Sequence, residues 1–135
     1  MNPASNSFRQ ALAPVLVIED EPSVLAFISS ALERNGYRVV QAATGSEGLR
    51  LLREHEFSGV ISDMRTPGGI NGADVHAWIL ANRPEMAARL LFTTGDTASE
   101  ETAAILVKTG MPCLEKPFRV HQLVAAVEKI VGRTH

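Results

Sequence analysis

Short aliphatic runs alternate with longer stretches whose apolar residues recur every three or four positions, and the alternation repeats five times from Val15 onward. Val15-Leu16-Val17-Ile18 is β-branched and apolar throughout, as suits a strand covered on both faces. Pro22 suits a first helical turn, Val24, Leu25, Ile28, Ala31 and Leu32 follow at helical spacing, and Asn35-Gly36 is a stop. Arg38 to Ala42 reads as a second strand, and Thr44-Gly45-Ser46-Glu47 as a capping box opening a helix with Leu49 and Leu52 on one face. Ser58 to Ser62 is the third strand. A Gly/Pro-rich loop from Thr66 to Gly72 leads to a helix carrying Val75, Trp78 and Ile79, ending near Asn82 because Pro84 follows. Arg89 to Thr93 is the fourth strand, Thr97-Ala98-Ser99-Glu100 a second capping box whose helix runs to Gly110, and Pro112 to Glu115 the fifth strand. Val120, Leu123, Val124, Val127, Ile130 and Val131 form the stripe of a last helix.

Strands that alternate with helices predict an α/β domain with a parallel sheet, since each parallel crossover needs a covering helix. At 135 residues the chain has the length of one such domain. Before it, residues 1–14 form a polar arm, either disordered or a short helix built on Phe8, Ala11 and Leu12.

Composition narrows the function classes. Thirteen basic against fifteen acidic residues give a net charge of −2, which argues against direct nucleic-acid binding. No apolar run approaches the roughly 20 residues that span a bilayer, so a cytoplasmic protein without a membrane partner is expected. The single Cys113 excludes an internal disulfide and a cysteine zinc site. His55, His76, His121 and His135 show no metal spacing and read as solvated surface residues.

Ligands of open α/β sheets gather at the carboxyl ends of the strands. Those ends carry Glu19 and Asp20, then Asp63, then Thr93 and Thr94, then Lys116-Pro117. Converging carboxylates repel unless a cation neutralises them, and carboxylate oxygens select Mg²⁺ or Mn²⁺. A carboxylate beside such an ion and a lysine is equipped to act as nucleophile toward phosphorus, and a threonine hydroxyl to bind the arriving phosphoryl oxygens. The first strand-to-helix loop, Glu19-Asp20-Glu21-Pro22-Ser23, lacks the glycines and lysine of a nucleotide cradle.

The segments VLVIEDEP, SDMRTPGG, LLFTTGD and EKPF together resemble those of the receiver domains of bacterial response regulators, from Val15 to Gly132. The resemblance implies a flavodoxin-like (βα)5 fold with strand order 2-1-3-4-5. It implies Asp63 as phosphoacceptor, with Glu19, Asp20, Asp63 and the backbone carbonyl of Arg65 around Mg²⁺ or Mn²⁺. Thr94 and Lys116 correspond to the phosphoryl-binding pair, and the Lys116-Pro117 bond is expected to be cis. Arg65 and Asp96, each two residues past a site residue, are expected to tune the lifetime of the phosphoryl group.

Three positions depart from the family pattern. Glu19 stands where aspartate is commoner, the loop after Asp63 is one residue longer, and Cys113 replaces the aromatic residue of the usual switch. The implied function is that of a receiver spanning 15–133, stand-alone or excised and without an output domain. It accepts a phosphoryl group from a sensor histidine kinase or histidine phosphotransfer protein. Output is expected through the last two helices and the fifth strand, toward a downstream protein or a second copy. No catalysis beyond its own phosphorylation and dephosphorylation is expected. The rival readings are a phosphorylation-independent module of the same fold and an aspartyl-phosphate phosphatase. The phosphatase motif wants an acid where Arg65 stands.

Overall fold

Residues 12–66 and 68–131 are described in the computed structural model. The run Val15–Ile18 forms β1, and α1 follows at Pro22–Arg34. The remaining elements are β2 (Val39–Ala42), α2 (Gly45–Glu54), β3 (Gly59–Asp63), α3 (Gly72–Asn82), β4 (Leu90–Thr94), α4 (Glu100–Thr109), β5 (Cys113–Glu115) and α5 (Val120–Val131). The sheet is parallel in order β2-β1-β3-β4-β5, the flavodoxin-like order implied by the sequence motifs. The expectations for Phe8, Ala11 and the rest of residues 1–11, for Pro67, and for His135 and the domain end at 133 lie outside the described residues.

Side chains alternate across each strand, so each run feeds two cores. Leu16, Ile18, Val60, Leu90 and Phe92 pack with Leu52, Val75 and Ile79 under α2 and α3. Val15, Val17, Ile61 and Leu91 pack with Ile28, Leu32, Leu123 and Val127 under α1 and α5. Because both faces are covered, β1, β3 and β4 are buried along their whole lengths.

The helix ends follow local chemistry, with two differences from expectation. Thr44 caps α2 by accepting from the Glu47 N–H at 3.1 Å, but the Glu47 carboxylate accepts from Ala43 N–H and not from Thr44. The cap of α4 is Ser99, which accepts from Thr102 N–H at 3.3 Å, while Thr97 donates its hydroxyl to Glu115 at 3.1 Å. The expected box beginning at Thr97 is thus two residues early, because Thr97 belongs to the loop tied to β5. A reciprocal box does form at Asn71 and Asp74, opening α3. Gly110 ends α4 at φ 68°, a left-handed conformation that costs glycine little.

The loop after β3 accommodates its extra residue with Gly68 and Gly69 at φ 88° and 83°. Thr66 donates its hydroxyl to the Ile70 carbonyl and closes the loop on itself. That carbonyl lies 2.6 Å from where a Cβ on Gly45 would stand, so the loop seats against the start of α2 only because residue 45 has no side chain.

Candidate functional site

Parallel register brings the strand ends together. β1 pairs with β3 as Ile18 beside Ser62, and β3 pairs with β4 as Asp63 beside Thr93. Glu19, Asp20 and Asp63 consequently present carboxylate oxygens all within 4.8 Å of one another. Their burial differs sharply: Glu19 is 1% exposed and Asp63 7%, while Asp20 is exposed. The sequence marked the acids but not this division: both side-chain rows of β1 are buried, and residue 19 stays in the row of Val15 and Val17 while Asp20 turns out at the strand end.

Lys116 reaches the cluster from the loop after β5. Its Nζ lies 2.8 Å from Glu19 Oε1 and 3.1 Å from Asp63 Oδ2, with Glu21 Oε1 at 3.9 Å. The contact to Glu19 is an ion pair without hydrogen-bond alignment, since Glu19 Oε1 has no hydrogen-bond partner. The Glu21 N–H donates to Glu19 Oε2 at 3.1 Å, and the Arg65 N–H to Asp63 Oδ1 at 3.3 Å. The Lys116-Pro117 bond is cis, as the resemblance implies.

Burial pushes the Glu19 carboxyl above the usual range against the pull of Lys116, and the nearby Asp63 charge adds to the rise. Burial also works to lower Lys116, but its contacts with Glu19 and Asp63 outweigh this and hold the ammonium above its ordinary value. Four formal negative charges, at Glu19, Asp20, Glu21 and Asp63, thus face one firmly protonated lysine. An all-oxygen, net-negative cluster is the donor set that hard divalent ions take. These residues therefore fit Mg²⁺ or Mn²⁺.

Thr94 is 3% exposed, and its hydroxyl oxygen accepts from Asp96 N–H at 3.1 Å. Its carbonyl accepts from Lys116 N–H at 2.8 Å, tying β4 to the lysine loop. Arg65 points away along the surface and donates to Ser99 Oγ at 3.4 Å and Glu101 Oε1 at 3.5 Å, the cap and first turn of α4. These two partners, and Glu21 beside Lys116, were not singled out in the sequence. Ser99 carried a signal as a cap residue; the others carried none. Cys113 is half-buried, and burial together with Glu115 and Asp63 pushes its thiol up to about 11, so it is not a thiolate at neutral pH.

The histidines need correcting. His55 and His121 are exposed as expected, but His76 is buried in α3 at 7% exposure. His135 lies outside the described residues.

Comparisons with known proteins agree with the fold. The family model described as the response regulator receiver domain matches residues 15–128. The chain is 31% identical over 119 residues to the transcriptional regulatory protein KdpE of Mycobacterium tuberculosis, covering 88% of this chain and 51% of that one. It is 29% identical over 121 residues to a protein named as a probable chemotaxis protein CheY of Rhizobium etli, covering 87% and 92%. The crystal structure of a response regulator receiver domain protein from Clostridium thermocellum superposes with a TM-score of 0.77 at 32% identity, covering 89% of this chain and 94% of that one. The chain spans about half the length of the first curated regulators it matches. Among the described residues no helix is long and apolar enough to cross a membrane.

Proposed function

The chain belongs to the response regulator receiver domain family, and on that premise we propose that Asp63 is its phosphoacceptor, served by Glu19, Asp20, Thr94 and Lys116. The observation that carries this reading is the buried Asp63 carboxylate held 3.1 Å from Lys116 Nζ at the edge of the three-acid cluster. One Asp63 oxygen attacks the phosphorus of a phosphohistidine on a sensor kinase or phosphotransfer protein. The O–P bond forms as the N–P bond breaks, and the imidazole leaves with the electron pair and takes up a proton. Lys116 neutralises charge on the phosphoryl oxygens and remains paired with Glu19.

Mg²⁺ or Mn²⁺, held by Glu19, Asp20, Asp63 and the Arg65 carbonyl, would supply the cationic charge that phosphoryl transfer requires. Thr94 accepts from Asp96 N–H, which leaves its own O–H proton free to donate to a phosphoryl oxygen. Cys113 offers no ring to follow that movement, so the route outward runs through Arg65. Its guanidinium, held by Ser99 and Glu101, is two residues from the new dianion and is drawn toward it, which frees the start of α4. Arg65 and Asp96 also set how easily water reaches the phosphorus. The α4-β5-α5 face then meets a downstream protein or a second copy. We assign residues 15–133 to this receiver, a cytoplasmic signalling unit that turns over only its own phosphoryl group.

Incubation with Mg²⁺ and acetyl phosphate, or with a cognate kinase, is expected to add one hydroxylamine-sensitive phosphoryl group, read by intact-protein mass. Equal labelling of Asp63→Asn and parent under both donors would sink the assignment.

A further inference from the structure

A cleft of about 260 Å³ opens between α3 and α4, and none of its lining residues has a part in the phosphoacceptor reading. Ala73, Ala77 and Leu80 form one wall, and Ala104 and Ile105 the other. Spacings of three and four place these residues on facing stripes of the two helices, and the alanines are too small to fill the space between them.

His76 lines the same cleft from within the α3 stripe. It is 7% exposed, and among the described residues its ring has no hydrogen-bond or ion-pair partner. Burial holds the imidazole below its usual pKa, so at neutral pH the ring offers one donor and one acceptor, neither taken by another described residue. The ring nitrogens are not sealed in the core but open to the cleft, where a bound molecule can take up the hydrogen bonds that the protein leaves to solvent. Lys108 and Thr109 complete the lining, and Lys108 is its one charged residue.

We propose that this cleft is a binding site for a small amphipathic carboxylic acid. Its ring or branched chain lies between the alanine walls, a hydroxyl or carbonyl bonds His76, and the carboxylate meets Lys108. Size supports this class, because a dry cavity of about 150 Å³ already admits benzene. The larger space here has room for a ring with two polar substituents. A positive charge as the sole ionic feature of the lining selects an anion over a neutral or cationic molecule.

Heteronuclear NMR titration of the full chain with 4-hydroxybenzoate, against 4-hydroxybenzyl alcohol as the uncharged control, tests the proposal. The carboxylate is expected to give saturable shifts confined to α3 and α4, equally in parent and Asp63→Asn, which separates this site from the acceptor chemistry. Ala77→Leu, made at an exposed helical position, fills the cleft and is expected to abolish the shifts. Lys108→Gln and His76→Phe are each expected to weaken binding about fivefold, the size of one ion pair or hydrogen bond. Lys108 is exposed, so its variant folds whatever the fate of the cleft. Absence of saturable shifts, their survival in Ala77→Leu, or equal affinity for the alcohol would each overturn the proposal.

Discussion

The helices α4 and α5 are held against the sheet differently. Under α1 and α5, Ile28, Leu32, Leu123 and Val127 have no exposure at all. In α4 the only buried residue is Thr102, and Val107 is 86% exposed. Both α4 and α5 start from amphipathic sequence, but α5 puts a large aliphatic residue on every inward turn, whereas α4 offers Ile105 and Leu106, both only partly buried, after Ala103 and Ala104. The carboxylates are brought together at the ends of β1 and β3, two of the three strands buried along their whole lengths. The helix that touches them through Arg65 is the least anchored. Rigidity at the acids and looseness at α4 are what a site needs if its geometry must be kept while a neighbouring element moves.

Truncation breaks this contrast most directly. Leu123→Ala is expected to cost about 2–5 kcal/mol of stability in a urea melt, and Val107→Ala about 0.5 kcal/mol or less. Similar losses at the two positions would erase the distinction between the two helices.

A smaller effect comes from His76 in α3, the helix beside α4. Burial lowers its pKa in the folded chain, so as pH falls through the unfolded value near 6.5 the unfolded chain takes up a proton that the folded chain resists. Stability contributed by the neutral ring is therefore present above that pH and lost below it. Thermal melts between about pH 5 and 8 should show this slope, and His76→Phe should flatten it; an unchanged slope places the titration elsewhere.

The smallest change in stability is expected at the link between the acid cluster and α4. The Arg65–Glu101 pair is 64% and 65% exposed, so Arg65→Ala should cost at most about 1 kcal/mol. Its decay of the phosphorylated form should nonetheless differ from that of the parent. An unaltered decay rate would cut Arg65 out of the route from Asp63 to α4.

Local chemistry made most of the fold legible. The run Val15–Ile18 was placed to the residue, and the other strands lay within a position or so of their expected ends, because β-branched runs bounded by turn residues leave few alternatives. The shift of the α4 cap from Thr97 to Ser99 and the box at Asn71 were harder to see. Several hydroxyl and amide residues nearby could each cap a helix, and only the path of the loop decides which one does.

The site divides along the same line. Residue order and type along the chain determined that Glu19, Asp20, Asp63, Thr94 and Lys116 lie at strand ends, since that depends only on where each apolar run stops. Tertiary structure alone decided that Glu19 is buried while its neighbour Asp20 is exposed, and that Lys116 spans 53 residues of sequence to reach Asp63. It alone decided that His76 faces a cleft. Periodicity reports which way a side chain points relative to its own element. What it meets there depends on the volumes of side chains brought from distant segments, and no local pattern carries that information.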